Sequence, residues 1–578
     1  MQDAPTILGI NRTQDASITV MRGSQLVCSM QKERLTRRKH HWGKLDDVKS
    51  VYAEHLRCLD EPIDALVECF SSDRELENLP AYERELAETL RFAPGCRRAR
   101  ISHHLAHLYS VFHPSPFEEA AVMIVDGQGS PVRDLTESWS GASELPAHWR
   151  EVSSFYRVDR ERIDCLGKQL WDCDDARLVG LGMFYFLLTQ AIFPGEGNEG
   201  KVMGLAPHGN PDALDLPPLE VDGATVTIPM EWREIVRERE RFRYSGGGGS
   251  GDGLSGSGLS HSGLSGGGRT GRFRDTANLA AAGQRAFEEA LLEVARWLHA
   301  ETQADDLCFA GGTALNCCAN DRLLRETPFR RVFIPPAPSD AGTSLGCAVY
   351  GLTAVLGQPC GYRWEHDFLG PERPAGEIES ALRAADDLVV ERPSDLAGRM
   401  AELLAATKIV ALYQGRSEFG PRALGHRSIL GDPRFPFVRD FLNSKIKGRE
   451  WFRPLAPIVL LEHADELFDI RRPSPFMQFA APVLPEATER IPAVTHVDGT
   501  ARLQTVGKRD DALLRAVLER FAERTGIPVL LNTSFNGKDE PIVETPAEAL
   551  ASFRSTPMHA LAMPPYLVTK RVEPERPA

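Results

Sequence analysis

Three of the five residues in His103-His104-Leu105-Ala106-His107 are histidine. On a helix, His103 and His107 stand at i and i+4, on one face and close enough to share a metal ion. An HxxxH without a glutamate partner also occurs in ordinary cores, so further ligands have to come from elsewhere in the chain. Asp126 and Asp340 each follow a strand-like run near a glycine, and they would complete a site of two histidines and two aspartates. Taken singly, either aspartate also suits a turn or a helix cap.

A second concentration of chemistry lies further on. From Arg416 to Arg453 there are nine Lys or Arg against four Asp or Glu, in a chain whose formal net charge is −14. Such a local reversal needs a reason, and arginine forks match phosphate oxygens two at a time. A solvated charged face is the alternative, but the interleaved Gly, Pro and Phe argue against a regular surface helix. Asn532-Thr533-Ser534-Phe535-Asn536 is a polar strand end that suits a nucleotide or another polar ligand, or a turn cap. The glycine pairs Gly127/Gly129 and Gly311/Gly312 would let backbone N–H groups approach phosphate oxygens, or serve only as turns.

These residues require particular elements to hold them. Ile7 to Ile10, Ser17 to Met21 and Gln25 to Met30 are short β-rich runs that predict a hairpin opening an α/β domain. A strand over Ala120 to Val125 leads into Asp126-Gly127-Gln128-Gly129, and Leu307 to Ala310 leads into Gly311-Gly312-Thr313. Asp15, Asp126-Gly127 and Gly311-Gly312 thus fall in the order of two duplicated halves gripping a nucleotide. Between Ser245 and Gly271 the chain is almost pure Gly and Ser, which predicts a mobile surface insertion. A helical pattern resumes from about Thr276 to Thr302. A new strand at Ile409 to Tyr413, after a Gly/Pro/aromatic stretch, places a domain boundary near residue 357. The expected domains are 1–357 and 358–571, with a frayed tail at 572–578.

At 578 residues, 42% hydrophobic and 26% charged, the chain suits two or three globular domains. No run approaches the roughly 18 apolar residues that span a bilayer, and the N-terminus lacks a secretory pattern, so a cytoplasmic protein is expected. Eleven scattered cysteines form neither a disulfide framework nor a zinc pattern. The net acidity argues against a nucleic-acid surface.

Several long segments together resemble the O-carbamoyltransferase family, which includes the tobramycin, cephamycin, geldanamycin and nodulation-factor enzymes. They are QKERLTRRKHH, HHLAH, VDGQG, GKVMGLAPHG, GGTALN, PSDAGTSLG, GRSEFGPRALGHRSILGDPR, NSKIKGREWFRPLAP, SPFM and LLNTSFNGKDEPIVETPAEAL. The resemblance runs over nearly the whole chain. It implies an α/β protein with an N-terminal actin-like ATPase domain, similar to the tRNA threonylcarbamoyl-transfer subunit, followed by an α/β YrdC-like domain. The implied activity is transfer of a carbamoyl group from carbamoyl phosphate, through a carbamoyl adenylate made with ATP, to a hydroxyl of a small natural product.

By the same resemblance, His103, His107, Asp126 and Asp340 would hold a divalent metal, Fe2+ in the first instance, with Mg2+ the alternative that accompanies ATP. Asp15, Lys39, His107, Arg422 and Arg449 would be catalytic. Gly127, Gly129, Lys201, Gly311, Gly312, Asn316, Arg416, Arg427, Lys445, Arg453, Asn532 and Asn536 would bind the nucleotide and carbamoyl phosphate. The expected partner is a small hydroxyl acceptor, with no nucleic acid and no membrane, and a homodimer is compatible with the chain. Two departures from the family stand out. Its N-terminal loop usually carries a histidine where this chain has Gln14, and glutamine cannot act as a base near neutral pH. The Gly/Ser stretch is also foreign to the fold. Other readings are a tRNA threonylcarbamoyl-type transferase, a non-catalytic metal- and nucleotide-binding scaffold, and a sugar or acetate kinase, which would leave Gly415 to Glu544 without a purpose.

Overall fold

The computed structural model describes residues 4–56, 61–70, 79–174, 177–235, 237, 267–374, 376–572 and 574. Its first two sheets repeat one design. Thr6–Asn11 is buried along its whole length, pairs antiparallel with Ser17–Arg22 and parallel with Ile63–Cys69. Gln25–Gln31 and Phe92–Ile101 complete a five-stranded sheet in which the strands lie, by chain order, third-second-first-fourth-fifth. The second sheet begins with Glu119–Val125, which pairs antiparallel with Arg150–Asp159 and parallel with Asp306–Ala310. Ile163–Trp171 and Arg331–Phe333 complete the same order again. A sheet buried on both faces needs apolar side chains throughout, which is why the runs of Ile, Val, Leu and Met found in the sequence become central strands.

The two repeats share one core. The helix Thr343–Tyr350 crosses Thr6–Asn11 so closely that a Cβ at Gly9 would stand 2.1 Å from the Ser344 carbonyl oxygen. The same helix packs on His103–Val111, where a Cβ at Gly346 would lie 1.8 Å from the Ala106 oxygen. Only glycine permits these approaches. Duplicated third-second-first-fourth-fifth sheets with helices between them are the actin-like architecture expected from the sequence.

The remaining chain builds a mixed eight-stranded sheet. Its order is Leu388–Glu391, Tyr566–Lys570, Ala560–Met563, Val410–Tyr413, Arg427–Gly431, Val529–Ser534, Ala456–Leu460 and Gln504–Val506. The helices Leu396–Ala405 and Ala512–Thr525 bury their apolar faces in its core. Between the two units, the chain stays fastened to the first: Ser24 Oγ donates to the Pro359 oxygen at 3.0 Å, and Trp364 Nε1 donates to the Ser110 oxygen at 3.1 Å.

The strand runs read from the sequence are all present, each extended or trimmed by about one residue at its ends. The helix expected from Thr276 starts earlier, at Gly267, so the last residues of the Gly/Ser stretch are helical. Residues 245–266 of that stretch lie outside the described residues. Among the described residues, no helix is long and apolar enough to cross a membrane, and no cysteine is joined in a disulfide.

Candidate functional site

The histidine pair forms as its spacing requires. Ser102 caps the helix His103–Val111 by accepting from the Leu105 N–H at 3.3 Å, and the two rings stand 4.7 Å apart edge to face. Asp126 arrives from the end of Glu119–Val125, and Asp340 from the turn Asp340–Gly342. His103 Nε2 lies 3.2 Å from Asp126 Oδ2 and 3.4 Å from Asp340 Oδ1. His107 Nε2 lies 3.2 Å from His103 Nε2 and 3.3 Å from Asp126 Oδ2. One donor atom from each of the four falls within 4.8 Å of all the others.

The surroundings leave those atoms turned inward. Asp126 spends its other oxygen, Oδ1, on the N–H groups of Gly127 at 2.8 Å and Gly312 at 3.2 Å. Asp340 spends Oδ2 on the Thr13 hydroxyl at 2.8 Å. Burial alone would depress the His103 imidazole, but Asp340 and Asp126 outweigh it and hold its pKa well up. Burial would likewise raise Asp126, yet hydrogen bonds from His103 and His107 hold it well below the carboxylate range. Two imidazole nitrogens facing each other at 3.2 Å between two carboxylates fit a divalent cation, whose charge would satisfy all four at once. The third histidine turns away: His104 Nδ1 meets Ser154 Oγ at 2.7 Å, deep in the core.

The backbone N–H groups of the glycine pairs all find partners within the protein. Gly127 and Gly312 give their N–H groups to Asp126, Gly129 gives its N–H to the Glu151 oxygen at 2.7 Å, and Gly311 to the Pro338 oxygen at 2.8 Å. Gly127 and Gly312 therefore cradle the Asp126 carboxylate, while Gly129 and Gly311 close backbone pairs beside it. Gly311, at φ +100°, passes so close to Val125 that a Cβ would meet its oxygen at 2.2 Å. Asn316 is also committed: it caps the helix Cys317–Glu326 through the Ala319 N–H and exchanges hydrogen bonds with Gln284.

The basic segment divides into two groups. Arg416 donates to the carbonyls of Gly370, Val27 and Leu369, and Arg427 donates to Gln414 and Gly415 while lying 3.8 Å above the Tyr413 ring. Both tie the loop to carbonyl oxygens, and Lys445 is exposed. The inward-turned cations are Lys447, which is buried, and the half-buried Arg422, Arg449 and Arg453, joined by the half-buried Arg502 from the strand Thr500–Arg502. Burial, then Arg502 and Arg453, lowers Arg422 to about 9. Burial, then Arg453 and Arg502, pulls Arg449 well below its usual value. Lys447 is depressed by burial and by Arg449 and Lys39, while its Nζ is held by the Ser534 oxygen at 2.7 Å and Asn536 Oδ1 at 2.5 Å. An arginine does not give up its proton in practice. Enclosed cations that repel one another suit an anion, and Arg422 Nε, Arg449 Nη2 and Arg502 Nε are buried without a partner, with Glu450 the carboxylate beside Arg449 and Arg453.

Asn536 thus positions Lys447, while Asn532 gives its Nδ2 to the Ala423 oxygen at 2.8 Å and leaves its buried Oδ1 unpaired. Lys201 crosses from the first unit to Glu450 at 3.2 Å, and Lys39 feels both Arg453 and Lys201. Lys201 and Lys39 of the first unit therefore reach the cations of the second. Lys447, Arg502 and His40, whose Nδ1 meets Asp15 Oδ1 at 2.9 Å, were not singled out from the sequence. Lys447 stood within the basic segment and His40 within the motif ending KHH, but nothing local marked Arg502.

The molecule thus joins a duplicated actin-like unit carrying a His/His/Asp/Asp cluster to an α/β unit with a group of inward-turned cations. The sequence comparisons give the family. Residues 82–349 match the carbamoyltransferase N-terminus model and residues 401–570 the carbamoyltransferase C-terminus model. The chain is 32% identical to the uncharacterized protein sll1178 of Synechocystis, over 99% of this chain and 97% of that one. It is 33% identical to nodulation protein NolNO of Sinorhizobium fredii, over 96% of this chain and 79% of that one. Among solved structures, T. kodakarensis HypF overlays with a TM-score of 0.36 at 13% identity, covering 62% of this chain and 48% of that one. The chain belongs to the carbamoyltransferase family and is a carbamoyltransferase enzyme.

Proposed function

We propose that this carbamoyltransferase is ATP-dependent: its C-terminal unit acts as a YrdC-like domain that joins carbamate from carbamoyl phosphate to AMP, releasing pyrophosphate. The actin-like unit then passes the carbamoyl group to a hydroxyl of a small natural product. The observation that carries this reading is the set of mutually repelling, largely enclosed cations, Arg422, Lys447, Arg449, Arg453 and Arg502, with three buried guanidinium nitrogens, Arg422 Nε, Arg449 Nη2 and Arg502 Nε, unpaired. Such a pocket suits the several negative charges of ATP and carbamoyl phosphate. Arg422, Arg449 and Arg502 would clamp phosphoryl oxygens, with Lys447 held ready by Asn536.

In the other unit His103, His107, Asp126 and Asp340 would hold a divalent metal, with Fe2+ favoured over Mg2+ by the two imidazoles. The ion would supply Lewis-acid charge for the nucleotide phosphate. Thr13, Gly127 and Gly312 keep its carboxylates oriented. The test is a pyrophosphate assay. Carbamoyl phosphate and ATP together should release pyrophosphate, and neither should do so alone; ADP and phosphate as the products would overturn the adenylate route.

A further inference from the structure

Gln14 leaves the expected acceptor-side base missing, yet an imidazole stands beside the next residue. His40 Nδ1 lies 2.9 Å from Asp15 Oδ1, and both side chains are partly open, at 33% and 21% exposure. The backbone is bent to bring them together: Asp15 has φ +52° and His40 φ +50°, in the left-handed region that such residues rarely adopt. The ring's other nitrogen, Nε2, has no hydrogen-bond partner among the described residues. It lies beside Gly197, where a Cβ would come within 2.2 Å of it, so only glycine there lets the ring keep this position. The loop bearing Asp15 is tied to the metal-type cluster as well. Asn11 Nδ2 donates to the Asp15 oxygen at 3.2 Å and to the Asp340 oxygen at 2.9 Å. Lys39, the residue before His40, feels Arg453 of the anion pocket.

We propose that His40, oriented by Asp15, is the group that takes the proton from the acceptor hydroxyl during carbamoyl transfer. The inference rests on the adenylate reading above. The acceptor oxygen bonds to the carbamoyl carbon of the adenylate, and its proton passes to His40 Nε2. The bond from that carbon to the phosphate oxygen breaks, and AMP leaves with the electron pair. Asp15 plays the positioning part: it fixes the tautomer that leaves Nε2 free and stabilises the imidazolium once formed. The charged groups facing the ring are Asp15 from the loop after Thr6–Asn11, Glu33 from Lys32–Thr36 and Glu199 from Glu199–Leu205. The Asp15 hydrogen bond leads, outweighs burial and raises His40 to about 9. The base form therefore grows as pH rises toward that value.

Water serves as the O–H acceptor in the assay, with carbamoyl phosphate and ATP as substrates and AMP and pyrophosphate followed separately. Wild-type AMP release should climb between about pH 6 and 9 and then level off. His40→Gln should lower it by about 10²- to 10⁴-fold and flatten the profile, while the first turnover of pyrophosphate persists. Asp15→Asn should move the inflection toward lower pH. A wild-type profile that is flat, or a His40→Gln profile that keeps its rise, overturns the proposal, whereas absence of pyrophosphate from the wild type strikes the adenylate reading. Imidazole NMR of the intact protein decides independently. A His40 that titrates in the ordinary range, or that is unmoved by Asp15→Asn, refutes the pairing whether or not pyrophosphate appears.

Discussion

Arg422 offers a substitution whose effects on stability and on binding should carry opposite signs. Its pKa, lowered from 12.5 to about 9 by burial and by Arg502 and Arg453, corresponds to about 5 kcal/mol against the charged form. The side chain is not wholly closed off, and solvent screening reduces the recoverable part to on the order of 1–2 kcal/mol. Arg422→Met keeps most of the length and removes the charge, so the ligand-free protein should gain that amount, or about 1–3 °C in melting temperature for a chain of this size. With an anion present the balance reverses. A charge-assisted contact to phosphate contributes about 1.5–3 kcal/mol, so pyrophosphate should bind roughly 10- to 150-fold more weakly. Thermal melting with and without pyrophosphate reads both effects. The variant should start higher than wild type and rise less. A variant that melts lower without ligand, or that keeps the full pyrophosphate shift, would show that Arg422 is a structural cation and that the pocket is not built for an anion.

The two clusters should also fail separately. His107→Ala should lose bound divalent metal, measured by elemental analysis of the purified protein, and lose carbamoyl transfer, yet still release pyrophosphate from carbamoyl phosphate and ATP; loss of both half-reactions in a folded variant would place the metal cluster in adenylate formation. His113 gives a pH prediction. It is buried at 8% exposure with Nε2 unpaired, and burial, with Arg160 and Arg363, lowers it to about 4. The unfolded chain takes up this proton first, so stability is full above about pH 6.5 and falls by about 3 kcal/mol as the pH drops toward 4. His113→Leu should remove that share of the acid sensitivity, read as a smaller difference between urea midpoints at pH 7 and pH 4.5, and an unchanged difference would refute it.

What the sequence disclosed about these clusters depended on how local each signal was. His103 and His107 sit one turn apart on a helix, so their shared face was readable from spacing alone. Asp126 and Asp340 were readable as residues that end strand-like runs. Their convergence on the histidines follows from the duplicated sheets, which bring Glu119–Val125 and the turn Asp340–Gly342 to one end of the helix His103–Val111. The basic segment was readable as a charge reversal, but not the role of its members. In an irregular loop no periodicity says which way a side chain turns. Arg416 and Arg427 turn back to carbonyls, whereas Arg422 and Arg449 turn inward beside Arg502.

The glycines show the same limit from the other side. A Gly-Gly after a strand is compatible both with donors offered to phosphate and with close packing, and the sequence does not separate the two. The structure does, because the N–H groups of Gly127 and Gly312 end on Asp126 Oδ1. This orientation leaves Oδ2 facing His103 and His107. The glycines therefore act at one remove: they aim the carboxylate that would hold a metal. A substitution at Gly312 should accordingly be judged by metal content before nucleotide affinity, since a Cβ there would stand 3.0 Å from Asp126 Oδ1 itself.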